Sequence, residues 1–199
     1  MRMTRTTDVH RYNSIAQLFH WTMAVLLIGL FCLGLYMQSL PFSPQKLKLY
    51  SWHKWAGVVA FILVVLRLGW RMVSAAPKPV PMPAWQQKAA HLGHLLLYVL
   101  MFAIPLTGWL MSSAKGVPTV LFGLWPLPDL IGRNNDLGNL LQSVHWYLNL
   151  SLALLVAIHV LAAIKHQWID RDGTLSRMLP ARADTETRPN PKLLQSTRS

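Results

Sequence analysis

The sequence has few charged residues and almost no cysteine. Of its 199 residues only 13% are charged, about half of the roughly 25% that is typical of a soluble domain. The single cysteine, Cys32, excludes a disulfide framework and a site built from several thiolates. Charges are missing altogether from three long stretches, 12–45, 89–114 and 137–164. This pattern excludes an ordinary soluble domain.

Each charge-free stretch contains an apolar run long enough to cross a bilayer, since about 20 residues of helix cover a hydrocarbon core of ~30 Å. A fourth apolar run has basic residues near its ends, where long side chains reach the interface. We therefore predict an all-α, integral membrane four-helix bundle, with helices at about 15–38, 52–73, 87–112 and 141–167. Residues 1–180 are predicted to form this one domain, followed by a disordered cytoplasmic tail at 181–199.

The 19 basic residues outnumber the 7 acidic ones, but their distribution indicates membrane topology and not nucleic-acid binding. With both termini on one side of the membrane, 14 basic residues fall on that side. The 5 on the other side are Lys46, Lys48, Lys54, Lys115 and Arg133. Because cytoplasmic segments carry the excess of Lys and Arg, both termini are predicted to be cytoplasmic. The expected partner is the lipid bilayer, and no nucleic acid is expected.

Histidines recur within the apolar runs, where polar side chains are costly and usually functional or paired. His145 and His159 lie fourteen residues apart in the fourth helix. They therefore project from nearly one face, ~21 Å apart along the axis. Neutral imidazole is an axial ligand of haem iron, so two b haems stacked between the helices would require this arrangement. Zinc or non-haem iron would need carboxylates or several thiolates, and the spans offer only Cys32.

The same fourteen-residue interval occurs on each of the other helices: His20 to Gly34, His53 to Arg67, and His94 to Gly108. Because alternate helices run in opposite directions, these residues form two levels. The outer level holds His53, His145, Gly34 and Gly108, and the inner level holds His20, His94, His159 and Arg67. Glycine facing the bundle would give a flat macrocycle clearance, and Arg67 would pair with a haem propionate.

Each level then has its own candidate ligands. The outer haem has two, His53 and His145. The inner haem has three, of which we favour His20 with His159. That choice leaves His94 as an alternative inner ligand or as a residue of a quinone site.

Motifs around these histidines extend over most of the chain, from about Tyr12 to Pro180. They are His20-Trp21, Trp52-His53, Ala90-His91-Leu92-Gly93-His94-Leu95, Ile104-Pro105-Leu106-Thr107-Gly108, His145-Trp146, Ile158-His159 and the closing stretch Asp172 to Pro180. Together they resemble the bacterial di-haem cytochrome b561 family. The resemblance implies an inner-membrane protein with two b haems, ligated by His53 with His145 and by His20 with His159.

The resemblance also implies electron exchange with ubiquinone. In the stand-alone members that the chain looks most like, the implied activity is oxidation of periplasmic superoxide to oxygen, with ubiquinone as the acceptor. Lys115, just outside the third helix at the outer level, is the candidate guide for the superoxide anion.

Two other functions compete with this one. The first is an electron-relay cytochrome subunit that serves a partner dehydrogenase or hydrogenase. The external loops are too short for a soluble catalytic domain, which slightly favours superoxide oxidation over this function. The second is a haem-free transporter or channel. Broken helices and paired intramembrane carboxylates would mark it, and the sequence has neither.

Overall fold

The computed structural model describes residues 11–180 and is built from four long helices. They are α1 (Ser14–Ser39), α2 (Pro44–Val73), α3 (Ala84–Ala114) and α4 (Asn135–Lys165). A short hairpin of β1 (Val120–Leu121) and β2 (Trp125–Pro126) lies between α3 and α4, and a π-helical turn at His166–Asp170 extends α4. All four helices are long and apolar enough to span a membrane. The predicted four-helix membrane fold is therefore confirmed.

Local capping signals determine where the helices begin. Asn13 and Asn134 cap α1 and α4, each accepting a hydrogen bond from a backbone N–H of the first turn, at 2.8 and 3.0 Å. Ser43 caps α2 in the same way at 3.2 Å and is followed by Pro44. Proline suits this first position because its missing N–H has no partner in a first helical turn.

The helices are longer than hydropathy predicted. α2 begins at Pro44 instead of Trp52, and α4 begins at Asn135 instead of Leu141. The predicted boundaries were too short because an apolar run marks the part of a helix within lipid, whereas capping residues set its ends. The predicted disordered tail, 181–199, lies outside the residues that the structure describes, as do residues 1–10.

The bundle packs around a small core at mid-depth. α3 packs against α4, α1 against α2, and α2 against α3. The core cluster lies between the two histidine levels and consists of Met23, Val64, Met101, Ile104 and Leu152. Large apolar side chains on the outward faces are exposed, as a surface in contact with lipid requires. Within residues 11–180, α4 is not closely packed against α1 or α2, and the histidines lie between these helices.

Candidate functional site

The outer level brings together the two histidines that the sequence assigned to it. His53 on α2 and His145 on α4 have ring centroids 6.4 Å apart, with ring planes at 80°. A Cβ at Gly34 would lie 3.6 Å from His53 Cε1, and one at Gly108 would lie 3.2 Å from His145 Cε1. Both glycines therefore leave room for the imidazole rings themselves. Their predicted role in giving a macrocycle clearance stays a prediction.

The two outer rings differ in how they are held. His145 Nδ1 lies 3.0 Å from the Ile104 carbonyl oxygen and 3.2 Å from Thr107 Oγ1. The Thr107 hydroxyl also donates to the Ile104 carbonyl, at 2.8 Å. His53 Nδ1, in contrast, is buried and has no hydrogen-bond partner among the described residues. The His145 ring is therefore oriented by α3, whereas His53 Nδ1 has no such contact within residues 11–180.

The inner level brings together three histidines. The ring centroid of His159 lies 6.2 Å from that of His20 and 5.8 Å from that of His94. Arg67 is placed beside them, with Nη2 3.1 Å from His20 Nδ1 and its guanidinium 5.6 Å from the Tyr98 ring centre. Both candidate partners of His159 are therefore within the same range, and geometry alone leaves both open.

The spacing of these rings can be tested against the expected ligand. An iron held between two imidazoles would lie ~2 Å from each nitrogen, by analogy with other imidazole–metal bonds. Each nitrogen lies roughly 1.2 Å from its ring centre, so two such rings on opposite sides of the iron would have centres up to about 6.4 Å apart. The observed separations of 5.8 to 6.4 Å fit axial ligation of a haem iron at both levels.

The donor set also separates these sites from those of small metal ions. A small metal ion needs several ligand atoms close together. Among the described residues, one group of three side chains from His, Cys, Asp or Glu has its ligand atoms within 4.8 Å of one another: His166, Asp170 and Asp172. That group lies beyond the inner end of α4, away from the histidine pairs. The paired imidazoles within the spans thus fit haem better than zinc or non-haem iron.

Cationic side chains lie at the same end of the bundle as the outer histidines. Lys115 is the C-cap residue of α3, and its ammonium donates to Gln142 on α4, about one turn before His145. Lys54 follows His53 in α2 and donates to the Val117 carbonyl oxygen at 2.9 Å. Lys54 is thus tied to the segment that follows α3, and Lys115, where that segment begins, is tied to α4.

Arg133 is the third cation of this group. Its side chain packs on Gly116, where an added Cβ would lie 3.1 Å from Arg133 Cδ and where φ is +65°. Lys54, Lys115 and Arg133 are called the outer cations below. The two other cations predicted on this side, Lys46 and Lys48, lie at the start of α2.

Polar contacts at the inner end were not found by the sequence reasoning. His166 Nδ1 lies 2.6 Å from Asp172 and 3.1 Å from Asp170, which also binds Lys165 at 2.5 Å. Desolvation acts to raise the pKa of Asp172, but the hydrogen bond from the Thr174 backbone N–H and the contact with His166 outweigh it and hold that pKa below its usual value. This cluster fixes the chain where it leaves α4.

The segment after α4 then returns to α1. The buried Gln17 side chain donates to the carbonyls of Arg177 and Leu179, at 3.3 and 3.2 Å, and Trp21 Nε1 donates to the Met178 carbonyl at 2.8 Å. The only sequence signal for this contact was the resemblance of the closing stretch to a family motif. It closes the inner end of the bundle beside His20.

Comparison with known proteins finds one matching family and several similar proteins, and most of these matches cover nearly the whole chain. The family described as prokaryotic cytochrome b561 matches residues 11–181. "Cytochrome b561 homolog 2" of Escherichia coli (strain K12) is 36% identical over 181 residues, which is 89% of this chain and 95% of the relative. "Cytochrome b561 homolog 1" of the same organism is 33% identical, over 70% of this chain and 80% of the relative. "Probable superoxide oxidase CybB" of Yersinia pestis is 28% identical, over 86% of this chain and 98% of the relative.

Proposed function

Because the chain belongs to the prokaryotic cytochrome b561 family, we propose that it oxidises superoxide and reduces ubiquinone. Membership makes it an inner-membrane electron-transfer protein that binds b-type haem. The resemblance drawn from its histidine motifs is thereby confirmed. The number of haems, their ligands and both substrates are the content of the proposal.

The observation that carries the proposal is the presence of paired imidazoles at two depths of one bundle. His53 and His145 would hold the outer haem, and His20 and His159 would hold the inner haem. Their ring centres are 6.4 and 6.2 Å apart, which is close to the separation expected for two imidazoles that bind one iron. When bound, the two haems would supply one-electron transfer between the outer and inner levels. Arg67, whose Nη2 lies 3.1 Å from His20 Nδ1, would bind a propionate through its guanidinium in place of that contact, which would leave Nδ1 free to carry the ring hydrogen.

Superoxide is proposed as the electron donor because the outer level fits a small anion. Lys115 and Arg133 lie on the segment between α3 and α4, and Lys54 follows His53 in α2 and bonds to that segment. Clefts lined by one sign of charge raise the association rate of oppositely charged substrates. Lys115 is the proposed guide among them, since it is bonded to Gln142, about one helical turn before His145 on α4. The name of the Yersinia pestis relative supports the same substrate.

Ubiquinone is proposed to react at the inner level. His94 is exposed on α3 and its ring centroid lies 5.8 Å from that of His159, so an N–H of the His94 imidazole would donate to a quinone carbonyl oxygen from the lipid side. Two superoxide ions would each lose one electron and leave as oxygen. One ubiquinone would take up those two electrons with two protons and leave as ubiquinol.

The proposed orientation follows from the basic residues. Because 14 of the 19 Lys and Arg residues lie on the side of the termini, both termini would be cytoplasmic. The outer level would then face the periplasm, where superoxide would enter, and the inner level would face the cytoplasm.

The experiment is a spectroscopic reduction assay on the purified protein. Dithionite should give a b-type spectrum with about two haems per chain, as the two histidine levels require. Superoxide generated enzymatically should then reduce the haems, and superoxide dismutase should prevent that reduction. Added ubiquinone should reoxidise them. A protein without haem would refute the whole proposal.

The electron-relay function is the second candidate. The observation that favours it is the exposed tip of the hairpin, where Leu124 and Trp125 are 71% and 63% exposed and would serve as a docking surface at the outer end. Haems that are reduced by dithionite but not by superoxide would replace the first proposal with this one.

A further inference from the structure

The hydrogen on the His145 ring can be assigned from its partners. A backbone carbonyl only accepts hydrogen bonds, so the contact of 3.0 Å to the Ile104 oxygen places the hydrogen on Nδ1. The opposite nitrogen, Nε2, then has a free lone pair. A histidine that binds a metal through one ring nitrogen commonly donates from the other to a carbonyl, and this contact fixes its tautomer and orientation.

The Thr107 hydroxyl completes this contact. It donates its hydrogen to the Ile104 oxygen at 2.8 Å, so its own oxygen, 3.2 Å from His145 Nδ1, acts there as an acceptor. The Nδ1–H of His145 is therefore shared between two oxygen atoms. Both belong to the turn of α3 around Pro105.

The other ring of the outer pair has no such support. His53 Nδ1 is buried and without a hydrogen-bond partner among residues 11–180. Within the part of the chain that the structure describes, the two candidate ligands of one haem therefore differ, because Nδ1 is hydrogen-bonded in His145 and not in His53.

We propose that Thr107 and the Ile104 carbonyl are positioning groups that hold His145 as the Nδ1–H tautomer and lower the reduction potential of the outer haem. Hydrogen bonds accepted from Nδ1–H make the imidazole a stronger donor to iron, which favours the oxidised, more positive metal. The proposal rests on the proposed function to the extent that His145 is a ligand of the outer haem. It does not depend on what the protein oxidises.

The test is a redox titration of three variants with added mediators. In Thr107→Val the hydroxyl is replaced by a methyl group of similar size, and we expect the reduced-to-oxidised ratio of the outer haem to rise about fivefold at a fixed potential. That change equals a positive shift of about 40 mV, at 59 mV per tenfold for one electron. Thr107→Ser keeps the hydroxyl and should keep the wild-type potential. Ser151→Ala removes a hydroxyl that bonds to its own helix on a lipid-facing side of α4 and should shift neither haem.

The outer haem is identified as the one that His145→Ala loses. Loss of the outer haem in Thr107→Val but not in Thr107→Ser would also support the proposal. Equal potentials in Thr107→Val and the wild type would overturn it, as would loss of the haem in both Thr107 variants. Retention of both haems by His145→Ala would overturn it together with the ligand assignment. Failure of superoxide to reduce the haems would refute only the proposed substrate, because the titration uses mediators.

Discussion

Replacing Gly108 by alanine should disturb the outer site, and replacing Gly34 by alanine should not. The new Cβ at 108 would lie 3.2 Å from His145 Cε1, whereas the one at 34 would lie 3.6 Å from His53 Cε1. Contacts between carbon atoms are most favourable at ~3.5–4.0 Å. The ring of His145 must therefore move by a few tenths of an ångström in Gly108→Ala, and the ring of His53 need not move.

The size of the effect follows from this difference. Overpacking of a filled site costs typically ~1–3 kcal/mol, while the gain in helix propensity from glycine to alanine is about 1 kcal/mol and applies to both variants. We therefore expect the free energy of haem binding at the outer site to differ between the two variants by about 1 kcal/mol or slightly more. One kcal/mol corresponds to roughly a fivefold change in an equilibrium constant.

The assay is transfer of haem from the purified protein to an excess of a haem-binding acceptor, followed at the absorption band of the loaded acceptor. Gly108→Ala should release its outer haem about fivefold faster than Gly34→Ala, with the release rate of the inner haem unchanged. Equal outer-haem release rates in the two variants would refute the reasoning from the close approach at Gly108. Faster release of the inner haem alone would refute the assignment of Gly108 to the outer level.

Three further predictions concern the other parts of the molecule. Lys115→Gln should lower the second-order rate constant of haem reduction by superoxide roughly threefold and weaken the dependence of that rate on ionic strength. Lys88→Gln, at the opposite end of the bundle, should leave the rate constant unchanged. Equal rate constants in the two variants would show that Lys115 does not guide superoxide. His20→Ala should lose the inner haem and His94→Ala should retain both, as haem-to-protein ratios will show; the reverse result would exchange their roles. Because the pKa of Asp172 is held below its usual value, its contribution to stability should be present at neutral pH and lost as the pH falls below about 4. Melting curves of the wild type and Asp172→Asn in detergent should therefore differ at pH 7 and converge in acid, and a constant difference would contradict this.

Spacing was the part of the site that sequence could predict. Fourteen residues are close to a whole number of helical turns, so His145 and His159 had to share a face, and alternate helix directions sorted the remaining histidines by depth. The structure brings each of those groups together. The choice between His20 and His94 could not be made from sequence, because both lie at the same depth on helices that face His159.

The contacts that orient the site were not predictable in the same way. The Ile104 carbonyl is a backbone atom, and no side-chain pattern announces that it accepts from His145. Hydropathy alone places the start of α2 near Trp52, because it detects only the apolar part of the helix, whereas the capping pair Ser43 and Pro44 starts it at Pro44.

The separation of the two histidine levels along α4 has an electrical consequence. A rise of ~21 Å between His145 and His159 covers roughly two-thirds of a hydrocarbon core of ~30 Å. An electron that moves inward over this distance in the proposed reaction therefore crosses about two-thirds of the membrane voltage. Since one elementary charge corresponds to about 2.3 kcal/mol per 100 mV, a cell interior held at −100 mV opposes each transfer by roughly 1.5 kcal/mol. Turnover in sealed vesicles should accordingly slow as the interior becomes more negative, and an ionophore that collapses the voltage should restore it.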